Sequence, residues 1–450
     1  MKFGIEHDKY DTRLEASDWR FSAAILGLVQ YLIYYDFKHK IEDDYLLYNS
    51  KDICEEKYIE FVEYKYGNEL HHKLVERILS SNDISEGNIK LVNEKLSANT
   101  IMKKIFSKIK FDGKNKDDIL NTIDSNRYEL VKETYKTKMN MYANYCNTNK
   151  LFNESQDYCR LLGYTIDAGK KGKSIGYNFS TSSFVGEDIK EFDFIPFAFT
   201  GDREAFFIND NFTIEKLKQS NFALEHKVKL DIEKEEQSKY IDARQALFKL
   251  IIESSDFIDY DVEVIYKNRD KGYFETLYIR KDCIKILKSI KDYKSFCFSH
   301  KVTDKYYINI QKKVTDSILN NVLLDELIEL FLKEKNKGYL VKQLIDLNIL
   351  IRGDKYMNDR LKGAFACAKQ VSAALPANKI DSYRQKLTSS IIFKDYDRVC
   401  QILLQLSNYS NIEFGFVYDL FENFESNKDL AYTFINALSK NKDGKSNENN

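Results

Sequence analysis

Apolar residues in the last quarter of the chain recur at every third or fourth position. That spacing restricts the segment to short amphipathic helices. Between Asn378 and Ser410, Tyr383, Leu387 and Ile391 are spaced by four, and Val399, Leu403 and Leu406 by four and three. Each set lines one helix face. The runs Phe414–Phe424 and Leu430–Leu438 continue the pattern. Lys379, Arg384, Lys386, Lys394 and Arg398 fall on the remaining faces. A compact helical unit with a basic exterior suits a polyanionic partner, because phosphates attract such a surface through counterion release.

The rest of the chain predicts a mixed architecture. Residues 1–150 read mostly helical, with few turn residues and a polar loop at Gly113–Asp118. Trp19–Leu32 predicts a buried helix behind an Asp18 N-cap, with Gly27 allowing close helix packing. Glycine, serine and threonine cluster between Gly163 and Ser183. The aromatic run Phe192–Phe199, then Thr-Gly-Asp, then Glu204–Ile208 predicts a β-hairpin. Asp261–Tyr266 and Tyr273–Ile279 predict a second, with Lys267–Gly272 as its tip. Helices resume near Asp282 and dominate from Asp316. Hairpins without alternating βαβ units exclude a doubly wound sheet. The expected fold is α+β: a mainly helical N-terminal body with antiparallel hairpins, then an all-α C-terminal bundle. The expected domains are a body over 1–312 (helical over 1–150, hairpin-containing over 151–312), a bundle over 313–440 and a disordered polar tail over 441–450.

Charge is informative only when divided. The formal net charge is -1. From Lys267 to Val314 there are 13 Lys and Arg against 5 Asp and Glu, and from Lys333 to Cys400 there are 14 against 7. The acidic excess lies mostly in the first half and in Glu413–Asp429. No window is apolar enough for a membrane span. The opening Lys2-Phe-Gly-Ile-Glu-His lacks a signal-peptide pattern. The 7 cysteines have no framework spacing, which argues for a reducing compartment. The expected location is the cytoplasm.

Catalytic constellations are hard to assemble. Gly169-Lys-Lys-Gly-Lys-Ser174 invites a phosphate-loop reading, but the loop's first glycine is replaced by Asp167, whose charge would repel the phosphates. The loop suits a different role. Lys170, Lys171 and Lys173, with Tyr177 to stack, can track a nucleic-acid backbone. A solvated surface loop accounts for them equally well. Lys267, Arg269 and Lys271 make the second hairpin tip a further candidate. His7-Asp8 and His71-His72 find no converging metal ligands, and no Gly-x-Ser-x-Gly or His-Glu-x-x-His occurs. The reading is of a protein without catalytic residues, metal or cofactor.

Two stretches carry a family resemblance. Trp19-Arg-Phe-Ser-Ala-Ala-Ile-Leu-Gly-Leu-Val-Gln-Tyr-Leu32 resembles the opening helix of the large subunit of the type I-B CRISPR Cascade effector complex (the Cas8 family, Cst1-like branch). The segments from Asn378 to Leu438 resemble that subunit's C-terminal helical domain. The resemblance implies a non-catalytic subunit that surveys duplex DNA for the protospacer-adjacent motif and stabilises the opened target. The implied partners are guide RNA, target DNA, the backbone and guide-RNA-processing subunits, and a separately recruited helicase-nuclease. It also implies that the C-terminal domain is made separately from an internal start. Met357 is the only internal methionine in this half, and a start there would delete the helices from Asp316 to Leu350, so the expected start is a non-methionine codon near Val314–Leu324. Some relatives carry paired Cys-x-x-Cys motifs for zinc; this chain has none, and Cys146 and Cys159 stand alone. The alternative is a stand-alone nucleic-acid-binding or nucleic-acid-modifying protein with a degenerate site.

Overall fold

The computed structural model describes residues 9–81, 85–154, 159–164, 187–210, 212–234, 243–253, 260–334, 336–354 and 356–439, of which 230–234 and 243 are described by backbone alone. The chain divides into two compact units. The first is Met1–Leu250 with Asp261–Ile279, and the second is Ile251–Tyr260 with Arg280–Asn450. The fold is α+β, mostly helical, with small antiparallel sheets and a C-terminal part that is all helical among the described residues.

In the first unit, strands β1 (Thr12–Glu15), β2 (Lys40–Ile41) and β3 (Tyr45–Tyr48) form a sheet in the order β1-β3-β2. These strands are too short to reveal alternation, so the sequence reads through them as helix. Between β1 and β2 runs α1 (Trp19–Tyr34), capped by Asp18, whose carboxylate accepts from the Arg20 N–H at 2.7 Å. Residues Phe21–Val29, Tyr31 and Leu32 are all buried. A helix apolar on every side must be surrounded, and α1 is the centre of the larger core. The helices α2 (Glu55–Tyr66), α3 (His71–Ser80), α4 (Glu86–Leu96), α5 (Thr100–Phe106), α6 (Lys116–Thr137) and α7 (Tyr142–Tyr145) come next in the chain. The helices α3 to α6 enclose a second core around Val75, Val92, Met102, Ile119 and Ile123.

The segment that reads as the first arm of an aromatic hairpin is not a strand. Lys190–Ala198 is a 3-10 helix, followed by an isolated Thr200–Phe206 bridge in place of a strand ladder. Every residue from Glu191 to Ala198 is buried, so the segment has no wet face of the kind a hairpin presents. Its carbonyls are taken by side chains instead of a ladder. Tyr58 donates to Asp193 O at 2.6 Å, Tyr66 to Pro196 O at 3.2 Å, and Gln30 to Phe197 O at 3.0 Å. Pro196 has no N–H to give a neighbouring strand. Gly27 packs against this 3-10 segment, not another α-helix, and a Cβ there would overlap the Phe194 carbonyl.

Strand β4 (Glu204–Asn209) pairs with a distant partner. The helices α8 (Ile214–Lys234) and α9 (Ala243–Glu253) intervene before β5 (Val262–Asn268) and β6 (Phe274–Ile279). The sheet order is β4-β5-β6, antiparallel, with Phe207 opposite Ile265 and Val264 opposite Leu277. The hairpin expected at Asp261–Ile279 is present.

The second unit holds α10 (Lys281–Ser289), the short pair β7 (Ser299–Lys301) and β8 (Tyr307–Asn309), and α11 (Ile310–Asn320). The bundle continues as α12 (Asp325–Leu332), α13 (Gly338–Arg352), α14 (Met357–Ala374), α15 (Ala377–Ile392), α16 (Tyr396–Ser410), α17 (Phe416–Glu422) and α18 (Phe424–Ala437). Helix α18 packs on α12, α13, α14, α15 and α17. The stripe expected from spacing is inside: Leu387, Ile391, Val399, Leu403 and Leu406 are buried.

Candidate nucleic-acid interface

Burial of the apolar stripe on α15 and α16 turns their lysines and arginines outward. Lys379, Lys386, Lys394 and Arg398 are exposed. Among the described residues none of the four is held in an ion pair. Lys386 lies 5.7 Å from the Tyr383 ring centroid. The Arg398 guanidinium donates to the Gln401 side chain at 3.2 Å. Lys394 feels the carboxylates of Glu329 and Glu425 without pairing to them. Two other cations of the bundle differ. Lys428 pairs with Asp325 at 3.2 Å and Glu425 at 2.5 Å, and Arg360 with Asp354 at 2.9 Å. Charges committed to partners stabilise the fold; uncommitted exposed charges remain available to phosphates.

Arg384 departs from its neighbours. It is half-buried in a groove of about 400 Å³ lined also by Leu332, Lys333, Gln385 and Phe393. Its guanidinium donates to Leu332 O at 3.3 Å, and its Nε–H has no hydrogen-bond partner among the described residues. Burial pulls its pKa down, against the field of Asp381. Spacing placed Arg384 on the outer face with the others; the end of α12 covers it.

The β5–β6 hairpin tip carries less free charge than its sequence suggests. Lys267 is fully buried, and its ammonium donates to the carbonyls of Asn268 and Lys271. Desolvation pushes it down to about 8. Arg269 faces Asp202 at 3.6 Å, Lys271 pairs with Glu275 at 2.6 Å, and the adjoining Arg203 pairs with Asp270 at 2.9 Å. Lys267 therefore belongs to the turn's own bonding and does not project from the tip. Arg269 and Lys271 reach the surface already partnered.

Lys170, Lys171, Lys173 and Tyr177 lie outside the described residues. The chain on either side of that stretch is pinned. Arg160, fully buried, grips Asp188 through Nε at 3.0 Å and Nη2 at 3.2 Å, and meets Asp193 through Nη1 at 2.8 Å. Asp193 also accepts from the Tyr142 hydroxyl at 2.5 Å and the Phe152 N–H at 2.8 Å. Burial nonetheless pushes the Asp193 carboxyl up to about 6. The sequence does not mark Arg160, because its acids lie 28 and 33 residues away. Among the described residues no cluster of His, Cys, Asp and Glu is placed to hold a metal ion, and no helix is long and apolar enough to cross a membrane.

Helical spacing does not single out Phe393, which stands off the Leu387–Ile391 stripe and is 79% exposed beside Lys394. An aromatic residue off the apolar stripe is the signal that marks it.

Searches of curated proteins and of solved structures each found no match. Over residues 10–438 the sequence matches the family model described as CRISPR-associated protein Csx8. That match spans both compact units and nearly every described element, and the chain accordingly belongs to the Csx8 family of CRISPR-associated proteins.

Proposed function

We propose that this protein is the non-catalytic large subunit of a type I-B, Cascade-like RNA-guided surveillance complex that works in the cytoplasm. It reads the protospacer-adjacent motif on duplex DNA, then holds the opened target for a separate helicase-nuclease, in antiviral defence. Target sequence is read by guide-RNA pairing, so the protein's own contribution is non-covalent. Backbone contacts, a few base-edge contacts and a wedge suffice for it. The observation that carries this reading is the set of uncommitted cations on α15 and α16 in a CRISPR-associated chain. The resemblance of Trp19–Leu32 and of the C-terminal helices to large subunits supports it.

The test is to purify the full-length chain from cells expressing its neighbouring CRISPR components and to sequence the RNA that accompanies it. Short RNAs with a repeat-derived 5′ tag, together with a backbone subunit, are expected. A chain that purifies alone, without RNA, and cleaves nucleic acid in the presence of divalent metal would replace this reading with a stand-alone nucleic-acid-modifying enzyme.

A further inference from the structure

Four helices in the second unit, α11, α13, α15 and α16, are followed by a residue in the left-handed region, and the choice of residue is uneven. Helix α11 is followed by Asn321 (φ 52°), α13 by Gly353 (φ 72°) and α16 by Asn411 (φ 52°). Glycine and asparagine take that conformation at low cost. Helix α15 uses Lys394, with φ 58°. The closure around it is a Schellman motif: the Lys394 N–H donates to Ile391 O at 3.0 Å, and the Asp395 N–H to Ser390 O at 2.9 Å. A long side chain at that position stores backbone strain that Gly or Asn would avoid, and such strain concentrates at functional sites.

Phe393 immediately precedes it. The Phe393 ring is 79% exposed at the α15–α16 turn. It forms one wall of the groove in which Arg384 lies, with Lys333 at the end of α12, and Gln385, Thr388 and Ser389 along α15. The groove's volume of about 400 Å³ lies within the range of small-ligand clefts. Its cations are Lys333 and Arg384, neither held in an ion pair among the described residues. Asp381 offsets one of these charges, and Lys394 adjoins the rim. The groove thus offers an aromatic face, cations and hydroxyl or amide donors together. A nucleotide needs those features, because its base has a π-face and its phosphate is anionic. An apolar protein side chain would have no use for the two cations.

We propose that this groove holds one nucleotide of a single strand, with the base stacked on Phe393 and the phosphate on Lys333 and Arg384. The site rests on the nucleic-acid reading above and specifies where a strand is held. The backbone bonds of the turn hold Phe393 outward, and Lys394 adds a cation beside it.

The test uses the full-length chain with fluorescently labelled thymidine and uridine homopolymers and an abasic strand of equal length. Phe393→Ala is expected to lower affinity for the base-bearing strands roughly 5- to 150-fold, the range of one base-aromatic stack, and to leave the abasic strand unaffected. Phe393→Trp is expected to keep the affinity, and its added indole fluorescence to be quenched as strand is titrated in. Lys333→Gln with Arg384→Gln lowers affinity for all three strands. Lys394→Gly raises the urea midpoint yet weakens binding. A preference between thymidine and uridine strands assigns the bound strand to DNA or RNA. Equal losses on base-bearing and abasic strands, or binding without quenching in Phe393→Trp, overturn the nucleotide site and leave the nucleic-acid reading standing. Phe393→Ala that releases a protein subunit from the native complex, with strand affinity unchanged, makes Phe393 a protein anchor and overturns the site too. A wild-type chain that binds none of the strands removes both.

Discussion

Gly27 separates helix propensity from packing within a single residue. In an isolated helix, Gly→Ala gains about 1 kcal/mol. Here the new methyl would meet the Phe194 carbonyl, and backbone held in a core yields poorly, so overpacking costs about 1–3 kcal/mol. Gly27→Ala is therefore expected to lower the stability of the full-length chain in urea unfolding; an increase would mean that the 3-10 segment moves freely. Asp429 makes a second residue-scale case. It is fully buried, accepts from the Asn348 amide at 3.1 Å and lies 3.5 Å from the Arg352 Nε. Desolvation pushes its carboxyl up to about 6 in spite of both. The folded state thus prefers the protonated acid. Its contribution to stability is complete below the ordinary carboxylate pKa near 4 and is lost as pH rises through about 6. Asp429→Asn removes that loss. Its stability relative to wild type should grow by up to about 3 kcal/mol between about pH 4 and pH 7. A pH-independent difference would place the cost of burying Asp429 elsewhere. Arg160 holds two buried acids, so Arg160→Ala takes the guanidinium from both and is expected to cost about 3–5 kcal/mol, read by the same urea unfolding.

At the scale of elements, α15–α16 and the β5–β6 tip look alike in sequence and differ in free charge. Reversing Lys379, Lys386, Lys394 and Arg398 to Glu touches exposed positions and should spare the fold. If these side chains meet a single strand, the slope of log affinity against log salt should flatten by about 3, near 0.7 per phosphate contact. An unchanged slope would remove these helices from the strand's path. Arg384 is left out of that set because it is half-buried against Leu332, so reversal there would report on folding. At the tip, Arg269 and Lys271 already have acidic partners. Replacing both with Ala is expected to change the slope for duplex DNA by less than about 1. A larger effect at the tip than on the helices would invert the assignment and make the hairpin the main phosphate contact.

At the scale of the whole molecule, the bundle carries a prediction about how the chain is made. Helix α11 ends at Asn320, and Asn321 turns the backbone in the left-handed region before α12 begins at Asp325. A polypeptide started in this link keeps α12 to α18 and the packing of α18 on its neighbours. The core residues Leu327 and Phe331 stay covered, whereas a start at Met357 would delete α12 and α13 and strip that face. We expect intact-mass analysis of the native complex to find a C-terminal species of roughly 130 residues, a common domain size. Only full-length chain in repeated preparations would exclude it.

Local periodicity and local chemistry account for everything the sequence settled alone. Spacing by three and four gave the inner faces of α15 and α16, an acidic residue before an apolar run gave the α1 cap, and two β-rich runs around a polar turn gave the β5–β6 hairpin. Tertiary structure decided wherever a residue's state depends on a segment far away in the chain. Phe192–Phe199 alternates like a strand, yet it became a 3-10 helix because α1 and α2 supply its carbonyls with side-chain donors and leave no face for water. Lys267 reads as a tip cation, yet its ammonium turns in to two carbonyls. Arg160 carries no local signal at all, because its value lies in two acids that only folding brings to it. Local pattern fixes which side of a helix is apolar; which charges remain free depends on what the rest of the chain places beside them.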